Sequence, residues 1–338
     1  MDKQVALITG VAGFIGSHLA ERLVKEGYFV IGVDCFTDFY PLWMKELNLE
    51  ELKGQEFQFI KADILELDLV SLLKDKNVRY IYHLAAQAAV RPSWGSKLEV
   101  YLRNNVLATQ KILEAVREVS VEKLVYASSS SVYGDVDLFP ISEDTMPRPI
   151  SPYGVTKLAG EHLCMLYHYN YGIPVVSLRY FTVYGPRQRP DMAFHRFIRA
   201  IVEGNEVRIF GDGEQTRDFT YVDDAVEATF RAGVMSSDGK VFNIGGGSRV
   251  TVNYVIEILE EILGRKALRR YEDAKPGDMR HTAADITLAE KMLGYRPKIS
   301  LREGLEEQVK WMVRVMKIGA KDQPVSVDHN VDTIDKGA

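Results

Sequence analysis

The stretch ALITGVAGFIGSHLAERL, close to the start of the chain, constrains the fold more than any other. A short apolar run ends at Thr9, glycines follow at positions Gly10, Gly13 and Gly16, and an amphipathic pattern begins at once. Glycines at that spacing are common, so the reading rests on what flanks them. A strand that runs into glycines and then into a helix brings backbone N–H groups and a helix N-terminus to one point, where they can approach a pyrophosphate. Phe14 and Ile15 belong to the same turn. About 24 residues after Gly10, Asp34 closes a second apolar run, YFVIGVD, where a carboxylate can accept from the adenosine ribose hydroxyls and repel a 2′-phosphate. The pattern predicts a dinucleotide, NAD rather than NADP.

The same alternation recurs along the next 150 residues. QVALITG, YFVIGVD, FQFIKAD, YIYHLA, KLVYASS and PVVSLRY each precede a loop and usually a helix-period stretch, as in an α/β protein with a parallel, doubly wound sheet. Asp63 and Ile64 come after the third run; Leu84, Ala85 and Ala86 come after the fourth, behind His83. Both groups fall at the carboxyl edge where such sheets bind ligands, although Asp63 could equally cap a helix. Beyond Arg179 the pattern loosens into the short VRIF, the helical VDDAVEATFRAGV, the strand-like KVFNIGG, and helices starting near Thr251, Ala284 and Leu301. We expect a Rossmann-type domain over 1–180 with returning segments near 220–248, and a smaller, interleaved substrate-binding part over 181–219 and 249–317. A polar tail, poorly ordered, is expected over 318–338.

Composition excludes several classes of function. A net charge of −5 over 338 residues gives no basic excess for a nucleic acid or an anionic membrane. An anionic ligand would therefore need local arginines. Cys35 and Cys164 stand far apart with no His/Cys cluster, so neither a disulfide framework nor a metal site is predicted. No apolar run approaches the roughly 20 residues of a spanning helix, and the first strand begins without a signal-peptide pattern. The expected location is cytoplasmic.

The chemistry is concentrated in two stretches. YASSSSVYG places Ser128 to Ser131 at the end of the fifth run, and SPYGVTK sets Tyr153 and Lys157 four apart, on one helical face. A free phenol ionises near pH 10, and nearby positive charge lowers that value. Lys157 and an oxidised nicotinamide would supply such charge, making Tyr153 a base for a substrate alcohol while a serine hydroxyl holds the same oxygen.

Taken in order, TGVAGFIGSH, Asp34, HLAA, the NNV of Asn104 to Val106, SSSSVYG, YGVTK, LRYFTVYGP, QTRDFTYVDD, FNIGGG and PGDMR resemble the extended short-chain dehydrogenase/reductase family, in its nucleotide-sugar epimerase group. The resemblance runs to about residue 315. It implies Tyr153 as acid/base, Lys157 on the nicotinamide ribose and Ser129 as hydroxyl partner, with Asn104 and Tyr180 also at the cofactor. It further implies Ser130 in the sugar pocket, Arg217 and Arg280 on a diphosphate, and a homodimer through helices near Leu98–Val119 and Ser151–Tyr171. Those same apolar faces could instead be core.

Within that group, RYFTVYGPRQRPDMAF is most similar to the UDP-glucuronate 4-epimerases, which implies conversion of UDP-glucuronate to UDP-galacturonate through a 4-keto sugar on tightly bound NAD. Arg187 is the expected ligand of the sugar carboxylate, with Thr182, Arg91, Ala193 and Phe194 as neighbours in the substrate site. A loop cap, or a pair with Asp191, is the plainer role for Arg187. UDP-glucose 4-epimerases often carry Asn where Thr182 stands. UDP-glucuronate decarboxylases usually carry Glu where Ser131 stands. Both activities remain open alternatives at this point, as does a non-catalytic NAD-binding regulator.

Overall fold

The computed structural model describes residues 3–235 and 237–322. In chain order the first half comprises β1 (Val5–Thr9), α1 (Phe14–Lys25), β2 (Phe29–Asp34), α2 (Leu42–Asn48), β3 (Phe57–Lys61), α3 (Leu69–Asp75), β4 (Tyr80–His83), α4 (Leu98–Tyr101) and α5 (Ala108–Glu118). A π-helical turn, Leu102–Leu107, joins α4 to α5. Then come β5 (Lys123–Ser129), α6 (Pro152–Tyr171), β6 (Val175–Tyr180), β7 (Thr182–Tyr184), α7 (Ala193–Glu203), β8 (Glu206–Phe210), β9 (Thr216–Tyr221) and α8 (Val222–Val234). β10 (Lys240–Ile244), β11 (Arg249–Thr251), α9 (Val252–Leu263), β12 (Leu268–Glu272), α10 (Thr287–Leu293) and α11 (Leu301–Asp322) complete the order.

The main sheet runs β10-β6-β5-β4-β1-β2-β3, every neighbouring pair parallel. Every residue of β5 and β6 is buried, which is why these strands read as continuous apolar runs rather than alternating ones. Helices cover both faces: α1 and α8 pack on one side, α3 and α5 on the other. The chain winds outward from β1 in both directions, so the loops after β1 and β4 diverge and leave a crevice at their carboxyl ends. That crevice is where the expected chemistry converges.

The later segments interleave. β10 returns to the edge of the main sheet beside β6, while β11-β9-β7 and β12-β8 form small separate sheets. Some elements differ from expectation. The helix foreseen near Ala284 begins at Thr287, whose N–H donates to the Asp285 carboxylate at 2.9 Å. α7 and β12 were not foreseen from the sequence. α11 runs on to Asp322, past the foreseen start of the tail at 318; residues 323–338 lie outside the described ones.

Candidate active site

One cavity of about 440 Å³ extends across the carboxyl ends of β1, β2, β4 and β5 and is closed by the segments after β6 and β12. At one end the β1–α1 turn forms its floor. Gly10 has φ +73°, and a Cβ there would lie 2.8 Å from the Ala85 backbone; one at Gly16 would lie 2.3 Å from the Gly10 carbonyl oxygen. Glycine is required because the turn is pressed against the strand beside it. The absent side chains leave room over the first N–H groups of α1, a cradle that fits a pyrophosphate.

Asp34, at the end of β2, accepts from the N–H groups of Phe36 at 2.9 Å and Ala12 at 3.1 Å. Burial pushes its carboxyl up, against the Phe36 hydrogen bond, the Lys45 charge and the Ala12 hydrogen bond. Lys45 is 4% exposed and donates to Thr37. Both line the cavity, as do Gly13, Phe14, Ile15, Ile64, Leu84, Ala85, Ala86, Asn104 and Tyr180. Asp63 lines it too, accepting from the N–H of Leu65 at 2.8 Å and from Arg103 at 2.7 Å. The cap of α3 is Asp68, which removes the capping role for Asp63. Asn104 lies in the π-helical turn, and its neighbour Asn105 faces away, clamping the Gln87 backbone at 2.7 and 3.1 Å and Thr156 at 2.9 Å. His83 is held between the hydroxyls of Thr9 and Thr109 and pushed down to about 3 by burial and the Lys157 charge, so it is a neutral part of the core.

Ser151 caps α6, accepting from the N–H of Gly154 at 3.1 Å, and Pro152 opens the helix. This start places Tyr153 and Lys157 one turn apart on the wall opposite the end of β5. Ser128 donates to Glu161 at 2.6 Å, and Glu161 is forked by Arg179 at 2.5 and 3.0 Å, so that hydroxyl is consumed by a buried network. Ser129 and Ser130 remain on the cavity wall. Burial pushes the Tyr153 phenol up, while a hydrogen bond from Ser129 and the charge of Arg189 pull it down. Lys157 is 4% exposed, and burial pushes its amine down to about 8.

The arginines divide differently from expectation. Among the described residues the cavity is lined by Arg189 and Arg217, with Thr182 between β6 and the rest of β7. Arg187 lies outside it, its guanidinium donating to Glu21 of α1 at 2.5 Å. The expected carboxylate ligand thus stands outside the cavity: the loop turns at Arg187, with φ +65°, and it is Arg189, two residues on, that lines the cavity. Arg189 is forked onto Asp191 at 2.9 and 3.0 Å, the partner foreseen for Arg187. Arg280 is likewise off the cavity, exposed and paired with Asp212 at 2.8 Å. Arg91 pairs with Asp278 at 2.7 Å and lies 4.0 Å over the Phe210 ring, so Asp278, not Arg91, reaches the cavity. Phe194 is core, its ring against Phe219 at 4.6 Å and Tyr184 at 5.3 Å; Ala193 is exposed at the first turn of α7. Lys45, the Gln87–Val90 loop, Met192 and the Gly277–Met279 segment also line the cavity and were not foreseen.

Residues 7–308 match the GDP-mannose 4,6 dehydratase family. A UDP-glucuronate 4-epimerase of Thermodesulfobacterium geofontis is 43% identical over 309 residues, 90% of this chain and 95% of that protein. A Bacillus subtilis protein named as an uncharacterized UDP-glucose epimerase is 47% identical over 309 residues, 90% of this chain and 97% of its own length. Among solved structures, the UDP-glucuronic acid 4-epimerase of Bacillus cereus, in complex with UDP-glucuronic acid and NAD, superposes with a TM-score of 0.89 at 46% identity, covering 92% of this chain and all of that one. The match over residues 7–308 and the likeness to these relatives place the chain in the GDP-mannose 4,6 dehydratase family, within the extended short-chain dehydrogenases/reductases.

Proposed function

We propose that the protein interconverts UDP-glucuronate and UDP-galacturonate by 4-epimerisation on tightly bound NAD. The observation that carries this reading is a guanidinium, that of Arg189, in the same cavity as Tyr153, Lys157 and Ser129 and close enough for its charge to act on the Tyr153 phenol. The cofactor would be held by the Gly10–Gly16 turn, Asp34, Asp63, Asn104, Tyr180 and Lys157. Bound NAD would supply the hydride acceptor and donor for sugar carbon 4.

The chain's own residues do the rest. Tyr153, as phenolate, takes the proton of the 4-hydroxyl, and Ser129 donates a hydrogen bond to the same oxygen; both roles reverse in the return step. Lys157 favours the ionised phenol by its charge. Arg217, fixed by its hydrogen bonds to the carbonyls of Thr216 at 2.9 Å and Arg280 at 3.1 Å, lies toward the Gly277–Met279 end and suits a diphosphate. Gripping the nucleotide there leaves the flat 4-keto sugar free to turn between oxidation and reduction.

Arg189 takes the role first assigned to Arg187. Asp191 engages the Nε and one Nη2 proton, which leaves the other edge of the guanidinium for an anion. A carboxylate β to a ketone readily loses carbon dioxide, and its charge spreads toward the ketone oxygen as it does so. A group that grips the carboxylate more firmly before that transition state than in it raises the barrier to decarboxylation. Ser131 in place of an acid at the end of β5 also argues against decarboxylation. Incubation of the purified protein with UDP-glucuronate and with UDP-glucose, with all products resolved, tests the reading. UDP-galacturonate is expected; UDP-xylose, or turnover of UDP-glucose alone, refutes it.

A homodimer is part of the proposal, supported by exposed apolar side chains on α4, the π-helical turn and α6. So is a cytoplasmic location, which suits two free cysteines.

A further inference from the structure

The loop from Gly185 to Arg189 is tied down residue by residue. The Pro186 carbonyl accepts from His18 Nε2 of α1 at 3.0 Å. Arg187 reaches Glu21, one turn further along α1, at 2.5 Å, and only 12% of its side chain is exposed. Gln188 is 1% exposed: its amide donates to the Val183 carbonyl at 3.2 Å and accepts from the His195 N–H at 3.0 Å and from Gln308 at 2.8 Å. The next residue, Arg189, is the one whose side chain enters the cavity. Arg187 bends the loop with φ +65°, a conformation that is strained for a side-chain-bearing residue and persists where surroundings enforce it. Its Nη1 is buried without a partner, so the Glu21 bond is what secures the guanidinium. α1 is also the helix whose N-terminus forms the pyrophosphate cradle.

We propose that Arg187 is a positioning residue for substrate selection: anchored to Glu21 of the cofactor-binding helix, it fixes the bend that aims Arg189 at the sugar carboxylate. The inference rests on Arg189 being the carboxylate ligand. It makes the Glu21–Arg187 pair the connection through which the cofactor-binding helix sets the geometry at the opposite end of the substrate.

The test uses the full-length protein loaded with NAD and measures dissociation constants for UDP-glucuronate and UDP-glucose. Arg187→Gly can adopt the bend without strain, since glycine takes positive φ freely, but without the anchor to Glu21 nothing fixes it. It should weaken UDP-glucuronate about tenfold, the scale of one loosened charge-assisted contact, and leave UDP-glucose within about twofold. Glu21→Gln should do the same, and Arg187→Lys, which can still reach Glu21, should restore the preference. Parallel weakening of both ligands, or no change in either, overturns the inference. Arg189→Ala separates it from the role of Arg189 itself. An unchanged preference in Arg189→Ala removes both; a lost preference there with an intact one in Arg187→Gly removes this inference alone.

Discussion

Lys157 carries a cost that the chemistry proposed for it requires. A lysine whose amine falls to about 8 in the folded chain, against about 10.4 in the unfolded one, binds fewer protons folded than unfolded between those values. Its destabilising effect is therefore full below about pH 8 and is relieved as pH rises toward 10.4. In the cofactor-free protein, Lys157→Met should raise stability at pH 7 by on the order of 2–3 kcal/mol, with the gain shrinking by pH 9.5, while turnover drops at least about 100-fold. Urea melts at the two pH values check it; a less stable variant at pH 7 would show that the buried amine is not penalised. Tyr153→Phe removes the one oxygen proposed to gain and lose the proton. It should cost about 10² to 10⁴ in kcat with NAD content and fold unchanged, read by single-turnover assay and by the cofactor released on denaturation. That Tyr153, Lys157 and Ser129 line one cavity was legible, because the proposed chemistry fixes residue type and spacing together. Arg189 was not, because arginine type alone does not tell which side of a bend it faces, and the bend at Arg187 has no glycine to announce it.

Among elements, the β1–α1 turn was the most legible and is the least tolerant. A methyl at Gly16 would stand 2.3 Å from the Gly10 carbonyl oxygen and 3.0 Å from the Val11 Cα, backbone that cannot give way without moving the turn. Gly16→Ala should therefore yield folded protein that purifies with less than about a tenth of the wild-type NAD content, since the displaced N–H groups are those that face the pyrophosphate. Full NAD content in that variant would place the cofactor phosphates elsewhere. Strands β1, β2, β4, β5 and β6 were readable because burial on both faces leaves largely apolar runs, and the half-buried edge strand β3 because it alternates with turn and helix patterns like the rest. β7 and β12 were not: three and five residues long, they pair with strands far away in sequence and show no periodicity of their own. The π-helical turn at Leu102–Leu107 was equally silent, although it is what lets adjacent residues, Asn104 and Asn105, serve the cavity and the Gln87 loop. In a regular helix pattern nothing marks one extra residue per turn.

For the whole molecule, the face opposite the catalytic wall decides whether the chain acts alone. α6 buries Gly154, Lys157, Gly160, Glu161 and Cys164 along one side and leaves Val155, Leu166 and Tyr169 51%, 53% and 81% exposed on the other. These share one stripe of α6 with the exposed His162, and Leu98, Val100, Leu102 and Leu107 are exposed apolar residues of the neighbouring segment, which also packs on α6. So many large apolar side chains exposed on one face suit an interface, and a two-fold partner laying its own α6 region against it would cover both copies at once. The same helix would then present Tyr153 and Lys157 inward while making the contact outward, so pairing would stiffen the element that holds the catalytic residues. Sedimentation of the intact protein should give twice the 38.2 kDa chain mass. Leu166→Glu should give one, because a stable pair needs roughly 1,200 Å² or more of buried surface and a buried unpaired carboxylate opposes it. Leu138→Glu, at an 84% exposed loop position between β5 and α6, should leave the pair intact. A monomeric wild type, or a Leu166→Glu variant that still pairs, would refute this interface.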